Sequence, residues 1–445
     1  MPDNEEKRSV PTPPKRSEDA FQQYGDEQDA PLRAKKKPKS SPKASVKGKK
    51  RPPVRRAAKK KKGGRKRRVS LFDRLFSGTS ASNEEGGLFG GKLHLSFWPS
   101  FFVIALVLVL LVLFLQSSNL VVDEQQVTIV GLPSDLEGYR ILHLSDLAGK
   151  RFGDAQSTLL RELNTLDYDA VFLTGDMVGT SGDPEPLYEL LEGFSSSTPV
   201  YFISGDSDPG PYRETMRDIE GTLDELVYED WILGAMDRGA IYVDRPQKLI
   251  VGNATIWITP ADMLNLDASA TMSTTKSQME QEEEGSLLGL EADYDTLPMT
   301  SHRYERAQAL LDAVNTMQAT EIHISLAHIP PSDDFILNSA SHNPPEEKYL
   351  TQPTLILAGH YCGGVFRIPF LGAFYIPNNT ADRHGWFPAQ EDVAGLSTIG
   401  ETQMYISSGL STCGDAPLMP FRLFNRPQIS ILEFTATLPE NMLEQ

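Results

Sequence analysis

The amino-acid sequence predicts an α/β domain preceded by a disordered tail and one transmembrane helix. Three observations lead to this. From about residue 127 onward, short apolar runs alternate with amphipathic helical patterns, the signature of α/β architecture. An uncharged apolar run occupies Phe97–Leu115. The first 96 residues are rich in Lys, Arg, Pro, Ser and Gly and poor in large apolar side chains.

The net charge of −17 averages two opposite halves. Residues 1–96 hold 26 Lys and Arg against 11 Asp and Glu, a net of +15, so the remainder carries −32. A segment as polar as 1–96 cannot bury enough surface to offset its ordering entropy, and it reads as a disordered basic cytoplasmic tail. Its cationic centre, with Lys59–Lys62 and Arg65–Arg68, suits anionic lipid headgroups beside a membrane better than nucleic acid. A domain of net −32 has no general field for polyanions either.

The run Phe97–Leu115, extended as a span over 97–116, has 19 uncharged residues. At 1.5 Å per residue it just crosses a ~30 Å hydrocarbon core. It is apolar all round, unlike a half-buried core helix, and lies too far into the chain for a cleaved signal peptide. With positive charge on its N-terminal side, it predicts a single-pass protein of the cell membrane, with the N-terminus cytoplasmic and the C-terminal domain extracytoplasmic.

Beyond the span, strands are expected at Val127–Gly131, Tyr139–Leu144, Ala170–Leu173 and Val200–Ile203. Later ones fall at Leu249–Val251, Thr255–Thr259, Ile322–Ala327, Thr354–Leu357, Gln403–Ile406 and Ile429–Phe434. Helices are expected over Ala155–Asn164, Glu185–Leu191 and Tyr304–Met317, where Leu, Ala and Val recur at helical spacing. The stretch 263–301, with Glu280 and Glu282–Glu284, shows little periodicity and reads as a mobile acidic insertion rather than a second domain. Two cysteines, Cys362 and Cys413, allow at most one bridge and support no zinc-finger pattern.

Five apolar strands end in a residue able to bind a metal: Asp146, Asp176, Asp206, His328 and His360. Open α/β sheets bind ligands at such ends. One aspartate there is more often a turn former or helix cap, and one histidine more often structural. Five together, mixing carboxylates with imidazoles, suit Mn, Fe or Zn.

The ordered set Ser145-Asp146-Leu147-Ala148, Thr174-Gly175-Asp176, Gly205-Asp206-Ser207-Asp208, Leu326-Ala327-His328 and Gly359-His360-Tyr361-Cys362 resembles the motifs of calcineurin-like metallophosphoesterases, DxH, GDxxD, GNH(D/E), H and GHxH. Gly363–Pro369 and Pro420–Pro427 are similar to a membrane-anchored branch that includes enzymes splitting the pyrophosphate of UDP-diacylglucosamine. The resemblance covers about 126–436, interrupted by the insertion. It implies a four-layer αββα sandwich of mixed sheets and two divalent metals that bind a phosphoester and activate water for in-line attack.

Carried over residue by residue, the resemblance implies a complete second metal site of Asp176, Asp206, His328 and His360. The first site retains Asp146, shares Asp176, has the non-ligating Ala148 where the family has one histidine, and offers Cys362 as a thiolate ligand where it has another, a set able to hold a zinc-like ion. Ser207 stands at the general-acid histidine, and Gly179 at the second aspartate of GDxxD. The expected function is a membrane-anchored phosphoesterase acting on a phosphoester or pyrophosphate, with a lipid-linked substrate in view. The alternative is a catalytically inactive binding or scaffold module.

Overall fold

The computed structural model describes residues 97–213, 227–287, 297–341, 348–364, 367–368, 370–376, 385–412, 422 and 424–436. The basic tail and Cys413 lie outside these residues, so neither the expected disorder nor a Cys362–Cys413 bridge is among the features below. The expected span coincides with helix α1, Phe97–Ser118. Its described side chains, 101–112, are nearly all exposed and cover about 18 Å at 1.5 Å per residue. Among the described residues, no helix is long and apolar enough to cross a membrane.

Two six-stranded sheets form the domain among the described residues. The first contains β1 (Val121–Thr128), β2 (Arg140–Leu144), β3 (Ala170–Thr174), β4 (Val200–Ile203) and β5 (Ala240–Tyr242). The second contains β6 (Gln247–Val251), β7 (Ala254–Pro260), β8 (Ile322–Leu326), β9 (Leu355–Ala358), β14 (Gly395–Ile399) and β15 (Thr402–Ile406). Between β9 and β14 lie two short hairpins, β10 (Arg367–Ile368) with β11 (Gly372–Ala373), and β12 (Tyr375–Ile376) with β13 (Gly385–Trp386). The last strand, β16 (Gln428–Thr435), enters the first sheet, giving the order β1-β16-β2-β3-β4-β5. The second sheet runs β14-β15-β9-β8-β7-β6.

Strands β2 to β5 are parallel, as are β7, β8, β9 and β15. Parallel neighbours need crossovers, which put helices on the sheet faces and bury the strands on both sides. The sequence Ala-Val-Phe-Leu-Thr of β3 is accordingly buried at all five positions. Alternate residues divide between two cores. Ile141, Phe172 and Tyr201 meet Ile256, Ile258, Ile324, Leu355 and Tyr405 of the second sheet. Leu142, Val171, Leu173 and Phe202 point the other way, toward helices α2 (Ser157–Leu163), α3 (Glu185–Leu191) and α4 (Asp230–Asp237). Helices α5 (Ala268–Leu287), α6 (Leu297–Thr316) and α7 (Asp333–Ser341) cover the outer face of the second sheet. The expected four-layer αββα sandwich is the fold.

One expectation is corrected. Within the acidic stretch 263–301, α5 holds Glu280 and Glu282–Glu284, and α6 begins at Leu297, ahead of the expected Tyr304. Glu, Gln, Met, Ala and Lys are good helix formers. The apolar contact is confined to a few small or scattered residues, with Ala268, Leu310, Ala313 and Met317 packed with Trp257, so the helical period is faint in sequence. Arg306 of α6 donates to the Asp244 carbonyl at 2.6 Å and to Asp262 at 3.1 Å, securing the helix to the sheet.

Two buried histidines link the fold to pH. His143 Nε2 lies 2.7 Å from Thr174 Oγ1, and His323 Nε2 lies 2.8 Å from Thr259 Oγ1. Burial pushes their pKa values down to about 3 and about 4. The unfolded chain takes up these protons near pH 6.5, whereas the native chain does not until far lower. Stability from these groups is therefore complete above about pH 6.5 and is lost as pH falls toward 4. Asp146, whose carboxyl is raised by burial, opposes this trend in part. Urea unfolding is expected to show a loss on the order of 2–5 kcal/mol between pH 7 and 4.5; an unchanged midpoint there contradicts neutral buried rings.

Candidate metal centre

The strand order brings five chain ends to one edge. Asp146 follows β2, Asp176 follows β3, Asp206 follows β4, His328 follows β8 and His360 follows β9. The turns that carry them are tight. Asp146, Ala148, Asp176, His360 and Cys362 all have φ between 46° and 71°, a left-handed conformation uncommon outside glycine and most tolerated by Asp, Asn and His. Such local cost clusters where side chains must converge.

Four ligand atoms converge. One atom from each of Asp176, Asp206, His328 and His360 lies within 4.8 Å of the others. His328 Nε2 is 2.9 Å from Asp206 Oδ1 and 3.4 Å from Asp176 Oδ1. His360 Nδ1 is 3.2 Å from Asp206 Oδ1 and 3.2 Å from His328 Nε2. Two nitrogens bound at 2.0–2.1 Å to one tetrahedral ion stand about 3.3 Å apart, so the imidazole spacing fits a metal. Asp176, His328 and His360 are buried, and Asp206 forms the exposed side.

Neighbouring groups orient these ligands. His328 Nδ1 donates to the Thr174 carbonyl at 2.8 Å, which directs Nε2 toward the carboxylates. Thr174 itself is held through Oγ1 by His143. The Ser207 main-chain N–H donates to Asp176 Oδ1 at 2.9 Å. Asp208 accepts the main-chain N–H groups of Val178, Gly179 and Gly205 at 2.7–2.9 Å, joining the Asp176 and Asp206 loops. Thr174, His143 and Asp208 were not picked out as functional from sequence. The one local cue was the fourth residue of Gly205-Asp206-Ser207-Asp208.

The electrostatics favour a cation. Burial works against charge on His328, yet the Asp176 and Asp206 carboxylates outweigh it and hold its pKa well above the usual histidine range. Burial works against the Asp206 charge too, but His328 and His360 hold its carboxyl far below the ordinary value. Asp176 is likewise lowered, with His328 outweighing burial.

The sequence profile of the calcineurin-like phosphoesterase family matches residues 139–363, half of the chain and all four ligands. The chain belongs to the calcineurin-like phosphoesterase family. No curated protein matches it. Among solved structures it is similar to the phosphopantetheinyl hydrolase PptH of Mycobacterium tuberculosis, at 10% identity and TM-score 0.31, covering 64% of this chain and 96% of that one. It is also similar to the sulfate thiohydrolase SoxB of Thermus thermophilus with glycerol, at 12% identity and TM-score 0.27, covering 63% and 53%.

The other residues expected at the site of this calcineurin-like phosphoesterase are placed differently. Asp146 is buried beside the group, its Oδ2 accepting the His360 main-chain N–H at 3.3 Å. Cys362 is buried, and its carbonyl accepts from Arg422 and Asn425. Among the described residues, neither Asp146 nor Cys362 joins the four-ligand group. Ala148 and Gly179, which replace a histidine and an aspartate of the family pattern, face each other. A Cβ on Gly179 would stand 2.8 Å from Ala148 Cα, so side chains larger than these do not fit there together.

Gly205 shows how tightly the four-ligand group is built. An added Cβ would collide with the main-chain nitrogen and Oδ1 of Asp176. Gly205→Ala is expected to lower Mn or Zn affinity at least tenfold, consistent with disturbed ligand support. Isothermal titration of metal into the chelator-treated protein measures this, and circular dichroism confirms that the fold persists.

Proposed function

We propose that this chain is a membrane-anchored phosphoesterase in which one tight divalent metal, held by Asp176, Asp206, His328 and His360, supports hydrolysis of a phosphoester or pyrophosphate. The convergence of those four ligand atoms carries the reading. Mn, Fe or Zn suits the mixture of carboxylates and imidazoles. A divalent ion there supplies charge neutralisation for the phosphate and a water of lowered pKa.

The protein's own groups set the limits of the chemistry. Asp176 and the Thr174-oriented His328 fix the buried side of the site, leaving exposed Asp206 toward the entrance. Asp208 and the Ser207 N–H hold the loop geometry. The Ser207 side chain, at the family's general-acid position, has a hydroxyl pKa too high to protonate a leaving oxygen efficiently. Leaving groups that depart as stable anions, such as phosphate in a pyrophosphate, therefore suit this site better than alkoxides.

Residues 97–116 support the anchor, through an uncharged run coincident with helix α1. The basic tail suits anionic headgroups on the cytoplasmic side, which supports an extracytoplasmic domain. The similarity of Pro420–Pro427 to the membrane-anchored branch agrees with a lipid-linked substrate. In the structure, Arg422 and Asn425 from this stretch hold the Cys362 and Gly364 carbonyls beside the site.

The full chain in detergent is expected to bind one metal per molecule and to hydrolyse bis-(p-nitrophenyl) phosphate with added Mn, and Asp176→Asn abolishes both. Metal bound without turnover on this ester or on a pyrophosphate substrate would assign the chain to non-catalytic binding instead.

Ser207→His supplies an acid and is expected to accelerate esters with poor leaving groups by roughly 10²-fold or more, with little effect on p-nitrophenyl esters. Equal effects on both, read from kcat/KM across a leaving-group series, would remove Ser207 from that position in the reaction.

A further inference from the structure

Strand polarity fixes which end of the domain meets α1. Strand β16 is parallel to β1, with Gln428 beside Val121, and antiparallel to β2, with Ser430 beside His143. The first residues of β1 therefore lie at the same end as the last residues of β2, where Asp146, Asp176 and Asp206 emerge. The chain leaves α1 at Ser118 and enters β1 at Val121, so only two residues separate the apolar helix from the metal-bearing edge.

Hydrogen bonds tie that junction to the site. Arg426 donates to the carbonyls of Asn119 and Leu120. Its neighbour Asn425 donates to Cys362 and Gly364 at 2.6 and 2.8 Å. The Gln428 N–H donates to the Gly409 carbonyl, and a Cβ added at Gly409 would stand 2.8 Å from Asp146 Oδ2.

An apolar, aromatic surface grows from the same place. Arg367 at the root of the β10–β11 hairpin donates to the Gly363 carbonyl at 3.0 Å. Phe370 and Leu371 at its turn are fully and 65% exposed. On the adjoining β12–β13 hairpin, Trp386 and Phe387 are 66% and 62% exposed. Both pack edge-on against Phe374, at 5.0 and 5.1 Å between ring centroids, which fixes them in place while leaving them outside the core. Four large apolar side chains stand exposed on neighbouring hairpins, an exposure that water disfavours. Tryptophan and other aromatics are preferred at the headgroup level of a bilayer.

We infer that the β10–β11 and β12–β13 hairpins dock on the lipid surface anchored by α1, so that the metal-bearing edge faces the membrane and receives its phosphoester from a lipid headgroup. The inference rests on the membrane-anchor reading above. Continuity with α1 through Arg426 and Asn425 identifies the bilayer as the occupant. The hairpins then act as a second attachment point, which holds the domain over the lipid and sets the depth from which a headgroup enters.

The test uses the full chain reconstituted into phosphatidylcholine vesicles whose acyl chains carry bromine near the carbonyls. Trp386 emission is obtained by difference from Trp386→Phe, and Trp98 serves as an internal report on α1. Loss of most Trp386 emission is expected, and Phe370→Ser/Leu371→Ser/Phe387→Ser should restore it while Trp98 stays quenched. The same triple variant is expected to keep hydrolysis of dispersed bis-(p-nitrophenyl) phosphate and to lose hydrolysis of a vesicle-borne phospholipid ester. Trp386 untouched by bromine while Trp98 is quenched overturns the docking, whether acrylamide reaches it or a protein contact shields it. If Trp98 also escapes quenching, the anchor and the docking fall together. Because the fluorescence does not depend on turnover, an inactive but quenched protein separates failure of the enzymatic reading from failure of this one.

Discussion

The 2.8 Å hydrogen bond from His328 Nδ1 to the Thr174 carbonyl spans the two sheets at the edge where the ligands meet. Thr174 ends β3 of the first sheet, and His328 follows β8 of the second. The bond requires both sheets to present their strand ends at one level, and it turns the imidazole so that its other nitrogen meets Asp176 and Asp206. The His143–Thr174 contact beneath it and the Asp208 carboxylate beside it hold the two first-sheet loops in step. A donor that reaches across a layer boundary is worth more to the site than its modest net contribution to stability, about 1 kcal/mol for a typical hydrogen bond, because ligand direction depends on it.

Much of this arrangement was legible from residue order alone. An apolar run followed by Asp or His marks both a buried parallel strand and the group at its end, and such runs point to the four residues whose side chains converge. The supporting shell was not legible. Thr174 and His143 act through partners about 30 residues away or more, and nothing local distinguishes them from ordinary strand residues; Asp208 has only its place in the Gly205–Asp208 motif to mark it, although it reaches Val178 and Gly179 as well. The left-handed backbone at Ala148 and Cys362 was hidden too, because neither residue type advertises that conformation. Helices α5 and α6 were missed or shortened because their inward contacts are carried by few residues, among them Ala268, Leu310 and Ala313, beneath a polar surface rich in glutamate.

The incomplete half of the family pattern also has a physical form. Ala148 and Gly179 approach closely enough that the pair is accommodated jointly. An aspartate restored at Gly179 would meet the Ala148 backbone. Arg422, wholly buried, donates to the carbonyls of Cys362, Ser408, Ser411 and Asn425, so the Cys362 turn is pinned through its main chain whatever the thiol does. The four-residue group thus sits beside turns at Ala148, Gly179 and Cys362 that are set by packing and main-chain hydrogen bonds.

The place of β16 bears on how the polypeptide is made. This strand, drawn from residues 428–435, lies inside the first sheet between β1 and β2 rather than at its rim. Until it has been synthesised, β1 has no neighbour in that sheet and β2 lacks one side. The ligands after β2, β3 and β4 are then carried by a sheet with an open seam. A ribosome must therefore deliver the chain through Thr435 before the domain can close, and the half-made sheet has to be shielded from edge-to-edge pairing during that interval.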